Sequence, residues 1–452
     1  LVLAVSLWFP IQSAGDEIFT LESAIDRAVS FHPLMKAAFF DVDAAGLSVK
    51  HAQILRDIPQ MDLNFFTGIA PEARGSIFYS PDKSDDLDTF GPFYRFSLEL
   101  IKPISTFGRM SSAVETARQM VCIEKNKADS ILADLSLEVI KSYWGLSSAS
   151  KAVSLAVDLK DNYDRFLEQV RERLEDEKSA VDDADLFEVK TFGYTVEEIY
   201  QESIKLKILA ANSFHILLNL DLNEEVVLTD QKTPRVDLEQ NRLREFIRMA
   251  EELRPEVRGL KSAIDALSSQ IRFQKSKRFP VFFLAAGLGY ARAPSRVDQT
   301  NPFVLDEFNY RRLGAALGLN WNPNLFVHSV EIQKARVEQN AALEKLNALI
   351  STLGIEVSEA LAEVKKTSAL LESARQSLDS AKSWLRVCVG NWEMGLGEVW
   401  RMLRAYEAYF RLETKEIETE YLLKLSLARL AHVMGDVHLY VKWMNNGKVT
   451  FE

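Results

Sequence analysis

The side chains of this 452-residue chain that could carry out chemistry are thinly spread. The six histidines stand at positions 32, 51, 215, 328, 432 and 438. His432 and His438 are six residues apart. A metal centre there would need acidic or thiolate companions to complete its coordination, and no such ligand set accompanies them. No nucleophile elbow, P-loop or dinucleotide fingerprint occurs. Gly287 and Gly289 lie inside a strand pattern that no helix follows. Trp384, Trp392 and Trp400 are eight apart, close to two helical turns, which suits core or inter-chain packing better than a ligand box. The two cysteines, Cys122 and Cys388, are far apart in the repeat described below, and no pairing is expected. The chain reads as a non-enzyme with no cofactor and no metal.

Totals narrow the partners. A net charge of −11 argues against nucleic acid, because phosphate binding wants a basic face. With 47% hydrophobic and 26% charged residues the composition is that of an ordered protein, and the scarcity of cysteine suits an exported bacterial one. Leu1–Ile11 is apolar but too short to span a bilayer, which takes about 20 residues. Ser13, Ala14 and Gly15 follow. This reads as the remnant of a secretory signal peptide over residues 1–14, with cleavage near Ala14.

The elements that position everything else are short strands feeding long helices. In Phe93–Pro103, Tyr94, Phe96, Leu98 and Leu100 alternate with Arg95, Ser97, Glu99 and Ile101, so one strand face is apolar and the other largely polar. The pattern returns with Leu313, Ala315, Leu317, Leu319 and Trp321 before Pro323, which lies 220 residues after Pro103. Each strand has a partner upstream, giving four strands over 61–69, 93–102, 281–291 and 312–322. Residues 70–92 and 293–309, rich in Pro, Gly, Ser, Asp and Asn, are the loops between partners.

Helical patterns surround each strand pair. A helix over 20–57, capped by Thr20 and kinked at Pro33, precedes the first. From Ser105 to about Lys178 no proline occurs, which allows a helix of about 100 Å at 1.5 Å per residue, a coiled-coil rod. A charged turn over 175–185 and a return helix to about Leu220 follow. The second half repeats the plan. Arg254-Pro255 stands for His32-Pro33, a long helix runs from Leu325 to about Trp392, Met394–Gly397 turns, and Glu398–Met434 returns. The expected organisation is a first repeat over 15–220, a connector over 221–239, a second repeat over 240–436 and a C-terminal tail over 437–452.

Apolar-out, polar-or-small-in strands of about ten residues are the pattern of a membrane β-barrel. Tyr94, Tyr290 and Trp321 lie near strand ends, where interfacial aromatics belong. Four strands cannot close such a barrel, since single-chain barrels begin at about eight, and open edges are not tolerated in lipid. The barrel must be shared among chains.

With this plan on the page, the chain resembles the TolC family of outer-membrane channels. The resemblance covers nearly all of residues 17–436. It includes Leu21-Glu22-Ser23-Ala24 followed by His32-Pro33, the prolines Pro59 and Pro280 before the strands, and Ser373–Asp379 leading to Trp392-Glu393-Met394-Gly395. It implies a mainly α protein with a small β part: a helical coiled-coil barrel and four membrane strands per chain, completed as a 12-stranded barrel in a homotrimer. It also implies an outer-membrane lipid environment, a periplasmic helical tunnel, a periplasmic adaptor, and an inner-membrane pump or ABC transporter as partners. The function implied is the outer-membrane channel of a tripartite efflux or type I secretion system. The alternative from another class is a periplasmic coiled-coil adaptor or scaffold.

One departure from the family bears on the site. Its best-known members carry two aspartates, three apart, at the start of the last return helix, ringing the periplasmic aperture. Here the matching positions are Arg401 and Arg404, which share one helical face. The resemblance therefore implies rings of guanidinium in place of carboxylate, and charged rings set pore selectivity. Asp182, Asp183 and Asp185 occupy the other turn and are the expected partners of the two arginines in holding the tunnel shut. With Trp392 these residues form the expected aperture or gate.

Overall fold

The computed structural model describes residues 17–72, 89–176, 181–229, 231–236, 242–298, 303 and 305–449. The expected signal remnant at 1–14, most of the first strand-to-strand loop and part of the 175–185 turn lie outside the described residues. The elements are β1 (Glu17–Phe19), α1 (Leu21–Phe31), α2 (Pro33–Asp57), β2 (Gln60–Pro71), β3 (Phe90–Ser105), α3 (Arg109–Leu174), α4 (Asp183–Leu218), β4 (Val226–Leu228), α5 (Leu243–Leu253), α6 (Pro255–Ser276), β5 (Val281–Arg292), β6 (Tyr310–Asn320), α7 (Leu325–Glu393), α8 (Val399–Val433) and α9 (Val437–Asn446). Among the described residues no helix is long and apolar enough to cross a membrane. The chain forms two compact units. One takes residues up to Phe40, 125–259 and everything from Leu346; the other takes 41–124 and 260–345. Each draws segments from both halves of the chain.

The second unit holds one antiparallel sheet in the order β2-β3-β5-β6. Direct neighbours across it fall in rows, and each row shares one face. Leu63, Leu98, Leu288 and Leu313 form one row; Phe65, Phe96, Tyr290 and Arg311 form another on the same face. The opposite face carries Asp62, Glu99, Gly287 and Gly314 in one row. The alternation expected from the sequence thus becomes one largely apolar face, with Arg311 at its β6 edge. It is left in the open, with Leu313 84% and Leu63 63% exposed. Among the described residues, strands β2 and β6 each have a single partner, so both sheet edges carry backbone groups unpaired within the sheet. The strands depart from the expected bounds. β2 and β3 run longer, and β6 ends at Asn320, so Trp321 lies just past it and donates its indole N–H to the Arg278 carbonyl at 3.2 Å.

The first unit holds the main apolar core, built around Tyr143, Trp144, Phe214, Tyr440 and Trp443. The expected kinked helix over 20–57 is a clean break instead. α1 ends at Phe31, and His32 is extended with ψ 130° before Pro33 starts α2. Arg254, with ψ 127°, does the same between α5 and α6. The proline ring excludes the helical conformation at the preceding residue, so both copies of the motif break alike. The expected N-cap is present, with Thr20 and Ser23 forming a reciprocal capping box.

Three further elements have no counterpart in the sequence reading. β1 pairs in parallel with β4, inside the expected connector, and the Tyr143 hydroxyl ties them by donating to the Thr229 carbonyl at 2.7 Å. Residues 437–446, expected as tail, form α9, which starts at the N-cap Asp436 and buries Tyr440 and Trp443. The nearby Lys424 is almost fully buried, 3.8 Å from the Trp144 ring centre and 2.9 Å from Glu420. Glu420 also accepts a hydrogen bond from Thr233 at 2.6 Å, which anchors the connector to α8.

Candidate functional site

Every expected site residue lies in the first unit, at two turns. One turn joins α3 to α4 and the other joins α7 to α8. A separate apolar cluster packs the four helix ends together: Phe166 and Val170 from α3, Val189 from α4, Trp392 from α7, and Met402 and Leu403 from α8.

Trp392 is its pivot. Only 3% of it is exposed. Phe166 meets its ring edge-on at 5.1 Å. Its indole N–H donates to Gln169 Oε1 at 2.9 Å. The Arg173 guanidinium lies 4.0 Å from its ring centre and also donates to the Trp392 carbonyl. A buried indole thus has its polar atom satisfied and its face covered by a cation.

The turn after Trp392 depends on two glycines. Gly395 has φ +77°, a left-handed conformation that closes α7, and the Leu396 amide reaches back to the Asn391 carbonyl at 2.9 Å. At Gly397 a β-carbon would stand 2.7 Å from the Trp392 Cα. Only a residue without one lets the chain pass against the tryptophan.

The two turns line one cleft of about 580 Å³, bounded by Arg173, Asp176, Asp185, Gly397, Glu398 and Trp400 among others. The structure therefore brings the aspartate turn and the arginine turn to one place. Their side chains, however, make local contacts within the chain. Arg401 Nε pairs with Glu398 at 2.8 Å, on an exposed surface. Arg401 and Arg404 each hold the guanidinium 5.2 Å from the Trp400 ring centre. Asp182 caps α4, accepting from the Asp185 amide at 3.0 Å, while Asp185 accepts from the Asp182 amide at 3.2 Å. Asp183 is exposed in the first turn of α4. Among the described residues of one chain, neither arginine meets an aspartate of the opposite turn.

Arg173, Gln169, Phe166 and Glu398 are members of this site that the sequence did not single out. Arg173 and Trp392 are 219 residues apart, beyond the reach of any local pattern. Glu398 was readable, since its spacing of three from Arg401 is that of a helical ion pair. Chemically the place offers fixed charges and packing. Burial raises the pKa of the Tyr163 and Tyr406 hydroxyls beside it above the ordinary phenol value. Among the described residues no group of three or more His, Cys, Asp or Glu side chains could hold a metal ion.

Comparison with known proteins agrees with this architecture. Residues 246–436 match the model of the Outer membrane efflux protein family. No curated protein matches significantly. Among solved structures, the CusC channel superposes with a TM-score of 0.73 at 16% identity, covering 95% of this chain and 96% of that one. A membrane protein from Pseudomonas aeruginosa gives 0.72 at 18%, covering 92% and 93%. The open MtrE outer-membrane channel of Neisseria gonorrhoeae gives 0.70 at 16%, covering 92% and 89%. The likeness read from the sequence thus stands at two levels, a family pattern in the second half and a TolC-like fold over the whole chain. What the solved structures share with this chain is the fold, and the family match is confined to residues 246–436.

Proposed function

We propose that three copies of this chain form the outer-membrane duct of a tripartite efflux or type I secretion system, working with a periplasmic adaptor and an inner-membrane pump or ABC transporter. The observation that carries this reading is the sheet in the second unit. Among the described residues its largely apolar face is exposed, and neither edge strand has an outer partner. In lipid, every backbone polar group needs a partner. Like chains adding β2 to β6 would satisfy both edges at once, and three times four strands gives a barrel of 12.

In this assembly Arg401 and Arg404, with Asp182, Asp183, Asp185 and Trp392, form the periplasmic aperture. Trp392 holds the α7–α8 turn against α3, and the exposed arginines face their counterparts from the other chains. Their pairing with the aspartates is then a contact between chains. Each exposed pair is worth about 0–1 kcal/mol, so closure rests on several acting together.

The test is reconstitution. Purified protein should be extracted only by detergent, run as heat-modifiable trimers, and give discrete conductance steps in planar bilayers. Release by salt washing as a monomer, without conductance, would favour a periplasmic adaptor or scaffold and end this reading.

A further inference from the structure

A second cleft opens elsewhere in the first unit, among α1, α3, the first turn of α6 and the α8–α9 turn. Its volume is about 370 Å³, within the range that holds a small organic ligand. Its floor is apolar, with Ile25, Leu132, Val437 and Val441. Its rim is acidic. Glu22 and Asp26 are one turn apart on the same face of α1, and Asp436 stands across from them on the α8–α9 turn.

These carboxylates lack cations. Among the described residues Glu22 and Asp26 make no ion pair and no side-chain hydrogen bond. Asp436 accepts from the Leu439 amide at 3.3 Å, as an N-cap, and has no ion pair there. Arg258, the one arginine among the described residues that line the cleft, is held 2.9 Å from Asp129. His438, on the rim, is exposed to solvent. An apolar floor under unpaired negative charge is complementary to one chemical shape: an apolar body carrying a positive group.

We infer that this cleft binds an amphipathic organic cation, with its apolar body on Leu132 and Val441 and its charge held by Glu22 and Asp26. The inference does not rest on the channel reading, because binding here requires neither trimers nor conduction.

The test titrates tetraphenylphosphonium into the purified full chain in non-ionic detergent by calorimetry. Tetraphenylborate, of the same shape and opposite charge, is the comparison. The expected result is saturable cation binding, at least tenfold tighter than that of the anion. It should weaken at least tenfold in Glu22→Gln with Asp26→Asn, two exposed positions whose change spares the core. Leu132→Phe, which fills the floor, should abolish it with circular dichroism unchanged. Equal affinity for both probes, undiminished binding in the double variant, or no saturable binding would overturn the inference. So would a Leu132→Phe variant that binds the cation normally but changes oligomeric state, since the cleft would then be covered by another copy.

Discussion

The Arg173 guanidinium sits 4.0 Å from the centre of the Trp392 indole, joining the end of α3 to the end of α7 across 219 residues of sequence. Removing the ring should cost about 3–5 kcal/mol of local stability, as for other buried aromatics. Trp392→Ala is expected to speed hydrogen exchange over residues 385–403 while leaving the sheet protected. A double-mutant cycle with Arg173→Ala should give a coupling of about 1–2 kcal/mol, the scale of a partly desolvated cation–π contact. Zero coupling would show that the arginine is a bystander.

Two glycines make a contrast. A methyl at Gly397 would be driven into the Trp392 backbone, whereas at Gly287 it would meet nothing within 4 Å. Gly397→Ala should therefore destabilise the turn by about 1–3 kcal/mol, seen as faster proteolysis between α7 and α8. Gly287→Ala should stay within about 0.5 kcal/mol of the parent. Equal sensitivity at both sites would contradict the close approach.

The arginine rings make an electrical prediction. If Arg401 and Arg404 line the aperture, Arg401→Asp with Arg404→Asp turns six positive charges of a trimer into six negative ones. Reversal potentials in a salt gradient should then move towards cation preference. A pore whose selectivity and gating ignore the swap would keep the channel and remove these residues from its aperture.

Glu420 predicts an acid limb of stability. Burial alone would raise its pKa, but the Thr233 hydrogen bond and the charges of Lys424 and Lys151 more than offset this and hold it below the usual carboxylate range. A depressed folded-state pKa contributes stability that is present above the unfolded value and lost as pH falls through the folded one. Glu420→Gln should therefore flatten the acid side of the stability–pH curve below the ordinary glutamate pKa of about 4.3. It should also lower stability at neutral pH, because Lys424 is left buried without its carboxylate. An unchanged acid limb would show that other groups carry it.

What could be read from the sequence follows from the range of the interactions. The apolar sheet face was legible because strand alternation is a local pattern, and Leu98 and Leu313 declare their face from neighbours alone. The proline breaks at residues 33 and 255 were visible as motifs, though their geometry was sharper than a kink. The Trp392 clamp was not legible, because Gln169 and Arg173 gain meaning only once α3 lies beside α7. Nor was α9, whose Trp443 and Tyr440 in a terminal segment look like tail until a core exists to receive them. The arginines at 401 and 404 stood out by departure from a family pattern, and that pattern could not say that Glu398 would take one of them.

The pairing of β3 with β5 also has a temporal side. The first hairpin is complete at Ser105, yet its neighbour in the sheet ends only at Arg292. During synthesis the early hairpin must therefore wait, with one edge and its apolar face bare, while about 190 further residues are made. Such a segment is an aggregation hazard until its late partner arrives. The order of strands thus leaves the first hairpin open to misassociation until β5 has been made.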